Sequence, residues 1–156
     1  MSNGAPSNKV ILGIPTYGRA WTMDDESDIN GIPPLHIDGA AEPGPWTKHA
    51  GLLSYPEVCS LLSNPDNTKQ AKHLQVKRIP DPSKRKGSYV FRIVDENNNG
   101  GFWVGYEDSD TVGYKASYAK AKGLGGVAMV DLSLDDFKGT CGRDKYDLLR
   151  VAKMNF

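Results

Sequence analysis

Two short and almost continuously apolar runs constrain the fold of this chain more than any other feature of its sequence. The first extends from Lys9 to Pro15, and the second covers residues 125–132. Each is too short for an ordinary helix and is typical of a strand buried on both faces, as in a parallel sheet. Polar and aromatic residues follow the first run at positions 16–21. The sequence therefore predicts an α/β fold with a site at the carboxyl ends of these strands.

One helix is predicted on each side of the second strand. Ser109 or Asp110 is expected to cap a helix at residues 111–122, which ends before Gly123. An amphipathic helix at about residues 144–153 follows the strand, with an apolar face formed by Leu148, Leu149 and Ala152. Two parallel strands cannot close a sheet by themselves. We therefore expect exposed apolar surface unless further βα units precede this chain.

Residues 24–95 have a different composition, which is rich in proline, glycine and other turn-forming residues. The spacing of apolar residues predicts one helix there, at residues 54–62. Alternating apolar residues predict a half-buried antiparallel strand at 89–94, and a turn at 97–101 joins it to a second strand at 102–106. The middle of the chain is thus predicted to be a small α+β unit inserted between the two parallel strands.

Charge and hydropathy exclude several classes of partner. The 19 basic and 19 acidic residues cancel, so no overall field attracts the chain to nucleic acid or to an anionic membrane. No apolar run has the length of a membrane span. Residues 1–8 have neither the basic start nor the apolar stretch of a signal peptide, so this end gives no indication of secretion.

The two cysteines, Cys59 and Cys141, leave two interpretations open. They are too few for a metal framework, and no histidine lies at ligand spacing from either, so we expect no metal and no cofactor. They are either buried free thiols or partners in a disulfide. A bridge would close a loop across most of the chain, and it would favour an oxidising compartment.

A set of short segments, spread in order over nearly the whole chain, resembles the C-terminal part of glycoside hydrolase family 18. These segments are Leu-Gly-Ile-Pro-Thr-Tyr-Gly-Arg at 12–19, Gly-Pro-Trp-Thr-Lys at 44–48, Leu-Leu-Ser-Tyr-Pro-Glu-Val-Cys at 52–59, Trp-Val-Gly-Tyr-Glu-Asp at 103–108 and Leu-Asp-Asp-Phe at 134–137. The resemblance implies the last two strands and helices of a (β/α)8 TIM barrel with an inserted α+β chitinase insertion subdomain. It implies a penultimate barrel strand at 1–21, the subdomain at 22–102, and the last barrel helix, strand and helix at 103–156.

Within that family the chain is most similar to the imaginal disc growth factors, which are insect chitinase-like proteins. Residues 127–139 and 81–85 carry this closer similarity. Cys59 and Cys141 match a disulfide that is common among animal members, so the resemblance implies a bridge between them and a secreted, extracellular protein.

The family's catalytic acid ends an Asp-x-x-Asp-x-Asp-x-Glu segment, which this sequence does not contain. The acidic clusters at 24–28 and 131–136 lack both its spacing and its terminal glutamate, so we expect no catalytic residue and no enzyme activity in this chain. Catalytic members have a tryptophan at the position of Val130, where its ring forms the floor of the subsite for the sugar to be cleaved. They also have a glutamate at the position of His49.

The predicted ligand-binding residues are Tyr17, Arg19, Trp46, His49, Trp103 and Val130. Tyrosine offers a stacking face with a hydroxyl group, and arginine offers a fixed fork of donors for sugar oxygens. Arg19 could instead pair with a carboxylate of a neighbouring strand. Trp46 and Trp103 could line a groove or could pack in the core of the insert.

Two charged segments have less specific predicted roles. Asp131, Asp135 and Asp136 are expected to cap the next helix or to pair with basic residues, rather than to perform chemistry. Residues 84–86, Lys-Arg-Lys, form either a solvated loop or a contact for a polyanion.

Three functions are compatible with these features. The first is a fragment of a secreted, catalytically inactive chitinase-like growth factor that binds chitin, chito-oligosaccharide or a cell-surface receptor. The second is the C-terminal part of an active family 18 chitinase, which a glutamate at the end of the acidic motif upstream would favour. The third is an autonomous interaction module built on the insert, which a monodisperse chain that melts cooperatively would favour.

Overall fold

The computed structural model describes residues 4–28, 35–97, 100–142 and 144–156. Within them the strands are β1 (Ile11–Pro15), β2 (Tyr17–Asp28), β3 (Leu35–Ala40), β4 (Leu52–Ser54), β5 (Lys77–Ile79), β6 (Ser88–Arg92), β7 (Phe102–Tyr106) and β8 (Gly126–Val130). The α-helices are α1 (Tyr55–Ser63), α2 (Ser109–Ala121) and α3 (Asp147–Asn155). No helix in the described ranges is both long enough and apolar enough to span a membrane.

The two apolar runs form a parallel two-stranded sheet, as predicted. β1 pairs with β8 from Ile11, opposite Gly126, to Pro15, opposite Val130. Helices α2 and α3 pack against each other, and Val112, Ala116 and Leu148 share one core with Ile14 of β1. A side chain at Gly113 of α2 would lie 3.3 Å from Val151 of α3, so the glycine allows the two helices to approach closely.

The parallel sheet leaves apolar side chains in contact with solvent. Ile11 is 52% exposed, Val130 is 49% exposed, and Leu132, just after β8, is 45% exposed. Strands of a parallel sheet are normally covered on both faces and paired on both edges. The exposed apolar surface expected of two strands without further neighbours is therefore present.

The middle of the chain forms a six-stranded antiparallel sheet with one helix. The strand order is β3-β2-β7-β6-β5, and β4 pairs with β2 as well. Val58 of α1 is fully buried together with Val90 of β6 and Val104 of β7, so the helix covers one face of the sheet. The predicted hairpin of β6 and β7 is confirmed by their antiparallel register, although residues 98 and 99 of its turn lie outside the described residues.

The sequence did not predict three of these strands, β3, β4 and β5. The described side chains of β3 are exposed, all of β5 is exposed, and β4 has only three residues, so none shows an apolar pattern. Residues 17–21, predicted to belong with the first barrel strand, open the long strand β2. The predicted domain boundaries at 21/22 and 102/103 thus fall inside β2 and β7 of one sheet.

Helices α2 and α3 begin at different residues from those predicted, because other side chains cap them. Asp108 caps α2 by accepting a hydrogen bond from the Thr111 N–H at 2.9 Å, so the helix begins at Ser109. Burial alone would raise the pKa of Asp108, but hydrogen bonds from Ser88 and Arg78 outweigh it and hold that pKa below its ordinary value.

Helix α3 begins three residues later than predicted, at Asp147, because Tyr146 has a left-handed backbone with φ of 54°. The buried carboxylate of Asp135 accepts hydrogen bonds from the N–H groups of Leu148 at 3.4 Å and Leu149 at 3.0 Å. It therefore caps the helix from a distant position in the sequence, and not from the residue that directly precedes the helix. The expectation that these aspartates have a structural role is confirmed for Asp135.

The neighbouring carboxylate of Asp136 organises the loop that carries the disulfide. It accepts the N–H of Gly139 at 2.9 Å and the N–H of Cys141 at 2.6 Å. Burial opposes its ionisation, but these bonds prevail and lower its pKa. Cys141 is bridged to Cys59 of α1, so the disulfide ties the last loop to the antiparallel sheet's helix. The bridge implied by the family resemblance is present.

Replacing Asp135 with asparagine should lower the free energy of unfolding by about 3 kcal/mol, because an amide nitrogen would face a buried N–H group at the start of α3. Asp131→Asn is the matched control, since that carboxylate is exposed and bonds to the Ser133 N–H, and it should cost less than about 1 kcal/mol. Urea denaturation followed by circular dichroism measures both. Equal losses for the two variants would contradict the capping role of Asp135.

The stability of the fold should also depend on pH. Glu57, Asp108 and Asp136 have lowered pKa values in the folded chain. Their contribution is complete above the ordinary carboxyl values near 4, and it is lost as the pH falls through the lowered values. The free energy of unfolding, measured by urea denaturation at steps from about pH 5 to pH 2, should fall steadily with pH. A flat profile would contradict these assignments.

Candidate functional site

Thr16 is the junction between the two sheets. Its N–H donates to the carbonyl of Val130 at 3.0 Å, and its carbonyl accepts the N–H of Tyr55 at 3.1 Å. Its fully buried hydroxyl donates to the carbonyl of Asp131. One residue therefore holds together the end of β1, the end of β8 and the start of α1.

This junction brings three of the predicted site residues to one edge of the fold. Val130 lies opposite Pro15, at the carboxyl ends of the paired strands. Tyr17 and Arg19 follow on β2, and their alternate spacing places them on the same face of that strand. The guanidinium carbon of Arg19 lies 5.2 Å from the centroid of the Tyr17 ring, which holds the two side chains together. This is the edge at which the sequence predicts a site.

Tyr17 and Arg19 line a cleft of about 250 Å³ between β2, β7 and the loop before β6. The other residues with polar side-chain groups that line it are Lys86, Ser88, Tyr106 and Glu107. Glu107 is 6% exposed and forms an ion pair with Lys115 of α2, and its second carboxylate oxygen has no hydrogen-bond partner in the described part of the chain. The alternative prediction was that Arg19 pairs with a carboxylate of a neighbouring strand. Among the described residues no carboxylate forms an ion pair with Arg19.

Trp103 lies in the core of the insert, as its alternative assignment proposed. It is 3% exposed and packs with Met23 and Phe91, and the ring of Tyr89 stacks on it at 5.5 Å between centroids. It shares a sheet face with Arg19, because its strand partner on β2 is Trp21. A side chain at Gly105 would lie 2.6 Å from its ring, so the indole lies flat over that glycine. Trp103 is therefore a core residue and offers no open face to a ligand.

Trp46 lies on the loop before β4 and does not line the cleft. It is 49% exposed, and the ammonium of Lys138 lies 5.4 Å from its ring centroid and 5.5 Å from that of Phe137. The loop is anchored by Glu57, which accepts the Trp46 N–H at 2.6 Å and the Thr47 N–H at 3.0 Å. Burial opposes ionisation of Glu57, but backbone donors prevail and lower its pKa. Trp46 thus forms a separate exposed aromatic patch.

His49 is exposed in the turn that leads into β4. Its Nδ1 lies 3.3 Å from the carbonyl of Ala50. The turn reaches the site through the backbone, because Leu52 of β4 pairs with Arg19 of β2. No group of three or more metal-ligating side chains is found in the described residues.

Sequence reasoning did not identify Lys86, Ser88 and Glu107 as members of the cleft. They come from segments that are distant along the chain from Tyr17, and antiparallel pairing brings them together, with Ser88 opposite Tyr106 and Arg19 opposite Gly105. The alternation in β6 and β7 predicted the hairpin but not its pairing with β2, so no local pattern could have placed these residues beside Tyr17.

Comparison with known proteins identifies the relatives of this arrangement. The family model described as glycosyl hydrolases family 18 matches residues 1–135. Chitinase-like protein EN03 of Bombyx mori is 53% identical over 98% of this chain and 35% of that protein. Chitinase-like protein Idgf4 of Drosophila melanogaster is 49% identical over 97% of this chain and 35% of that protein. The chain therefore spans about a third of the length of these relatives.

A solved structure supports the same relationship. Human YKL-39, described as a pseudo-chitinase with retained chitooligosaccharide binding properties, superposes with a TM-score of 0.76 at 28% identity, over 99% of this chain and 36% of that chain. The fold, the family model and the relatives agree. This chain belongs to glycosyl hydrolase family 18 and is similar to its insect chitinase-like proteins.

Proposed function

We propose that this chain is part of a secreted, catalytically inactive chitinase-like protein that binds chito-oligosaccharide at the cleft of Tyr17 and Arg19. The proposal rests on one observation above all. At the carboxyl end of β8, where the resemblance implies a tryptophan in catalytic members, the chain has the exposed side chain of Val130, which pairs with Pro15 two residues before Tyr17. Two methyl groups cannot replace the apolar face that an indole offers to a sugar ring.

The same proposal assigns β1, α2, β8 and α3 to the last two βα units of a TIM barrel. The parallel pairing of β1 with β8, with α2 connecting them in sequence order, is the arrangement that such units require. The exposed apolar side chains of these strands are then the surface on which the rest of the barrel packs. The six-stranded sheet with α1 corresponds to the insertion subdomain, which forms one wall of the cleft.

Several further features support binding rather than catalysis. The carboxylates that the sequence clusters at 131–136 hold loops and helix ends, since Asp135 and Asp136 are fully buried and their oxygens accept backbone N–H groups. The disulfide favours an oxidising, extracellular location. A cell-surface receptor remains a predicted partner, for which the exposed patch of Trp46, Phe137 and Lys138 offers a surface.

Replacing Tyr17 with alanine should weaken binding of the N-acetylglucosamine tetramer about tenfold, because a stacked ring and its hydroxyl contribute roughly 1–1.5 kcal/mol. Titration calorimetry of the purified chain measures this affinity. Tyr118→Ala is the matched control, because Tyr118 is 46% exposed on α2 and does not line the cleft. An unchanged affinity in Tyr17→Ala, with the fold confirmed by circular dichroism, would place the sugar elsewhere.

Replacing Val130 with tryptophan should raise the affinity for the same tetramer by about tenfold, because it restores an aromatic floor at the end of β8. Leu132→Trp, which adds an equal ring at an exposed position two residues further on, should have no effect. Turnover of a chromogenic chitin substrate should stay at background in all variants. Hydrolysis by the purified chain would overturn the proposal and favour the alternative of an active chitinase.

A further inference from the structure

The cleft beside Tyr17 contains more positive charge than a neutral sugar requires. Arg19 and Lys86 both line it, and within the described part of the chain neither forms an ion pair. The carboxylate of Glu107 also lines it but is paired with the ammonium of Lys115. Arg19, Lys86 and Lys115 together with the single carboxylate of Glu107 therefore leave a local charge of about +2 at neutral pH.

Lys86 is placed at this cleft by a loop that is held by hydrogen bonds within the chain. The carboxylate of Asp81 accepts the N–H groups of Ser83 at 2.9 Å, Arg85 at 2.8 Å and Lys86 at 2.7 Å. Hydrogen bonds, that of Lys86 first, hold the pKa of Asp81 below its ordinary value, so it stays ionised and keeps these bonds at neutral pH. Such a loop loses little conformational entropy when a ligand arrives.

A glycine allows the same loop to pack closely against the sheet. Gly87 has φ of +119°, and a side chain there would lie 3.0 Å from the carbonyl of Tyr106 on β7. This close approach is available to glycine alone, because other residues would be strained by the backbone angle as well as by the contact. Lys86, the residue before this glycine, lines the same cleft as Arg19.

The other two cations of the loop are occupied elsewhere. The ammonium of Lys84 lies 3.3 Å from the carboxylate of Asp110, and Nε of Arg85 donates to the hydroxyl of Tyr114 at 3.1 Å. Neither lines the cleft. The loop is therefore not a uniform basic surface, because among its three cations Lys86 is the one directed to the site.

We infer that the cleft takes a saccharide that carries an anionic group, a sulfate or a carboxylate, held between Arg19 and Lys86. This inference rests on the proposed function, because it assigns the charge of the ligand at the same site. A neutral chito-oligosaccharide would leave both cations without an anionic partner, whereas hydrogen bonds between ionised groups are about twice as strong as those between neutral groups. Guanidinium forks also match the geometry of sulfate and carboxylate oxygens.

The test is a calorimetric titration of the chain with three tetrasaccharides at low and moderate salt. These are the neutral N-acetylglucosamine tetramer, its 6-O-sulfated form, and a tetramer in which N-acetylglucosamine alternates with glucuronate. We expect at least one charged tetramer to bind about tenfold more tightly than the neutral one, with an advantage that shrinks as salt is added. The tetramer that gains shows whether the cleft prefers sulfate or carboxylate.

Lys86→Gln and Lys84→Gln form a matched pair, because they remove one charge each from the same loop. Lys86→Gln should abolish most of the advantage of the charged tetramer over the neutral one, whereas Lys84→Gln, outside the cleft, should leave that advantage unchanged. Equal affinities of charged and neutral tetramers, or equal losses in both variants, would overturn the inference while the proposed function stands. Binding of none of the three would remove the proposed function as well.

Discussion

The hydrogen bonds of Thr16 are the interaction on which the rest of the structure depends. This residue lies between the strand of a parallel sheet and the strand of an antiparallel sheet, and its polar atoms bind the end of β8 and the start of α1. Because Thr16 is fully buried, each of these groups would lose a partner without access to water if the junction moved. These bonds fix the position of Val130, whose carbonyl accepts the Thr16 N–H. They also fix the position of Tyr17, which follows Thr16 in the chain.

The site takes its walls from both sheets as a result. The parallel sheet supplies Pro15, which pairs with Val130, and the antiparallel sheet supplies Tyr17 and Arg19, with Glu107 directly after β7. Lys86 comes from the loop before β6, which does not pair with β2, and the carboxylate of Asp81 holds it there by accepting its N–H. The arrangement joins an aromatic ring, a fork of donors and an excess of positive charge in one cleft.

Sequence reasoning predicted the parts of this structure that have a local pattern. Continuous apolar runs identified β1 and β8, helical spacing identified α1, and alternation identified the hairpin of β6 and β7. It did not predict β3 and β5, because edge strands with exposed side chains have no apolar periodicity. It assigned the caps of α2 and α3 to residues near each helix start, whereas Asp135 reaches α3 from twelve residues earlier. Within the site, Tyr17 and Arg19 could be named from their position after a strand, and Val130 only from the family resemblance. The other polar residues of the cleft are brought there by antiparallel pairings that no local signal reveals.

The most direct test of the central claim is a crystal structure of this chain soaked with the N-acetylglucosamine tetramer. We expect a sugar ring stacked on Tyr17, with the guanidinium of Arg19 donating to its oxygens, next to Val130 at the carboxyl ends of β1 and β8. A tetramer seated on the separate patch of Trp46 and Phe137, with the cleft of Tyr17 empty, would contradict it.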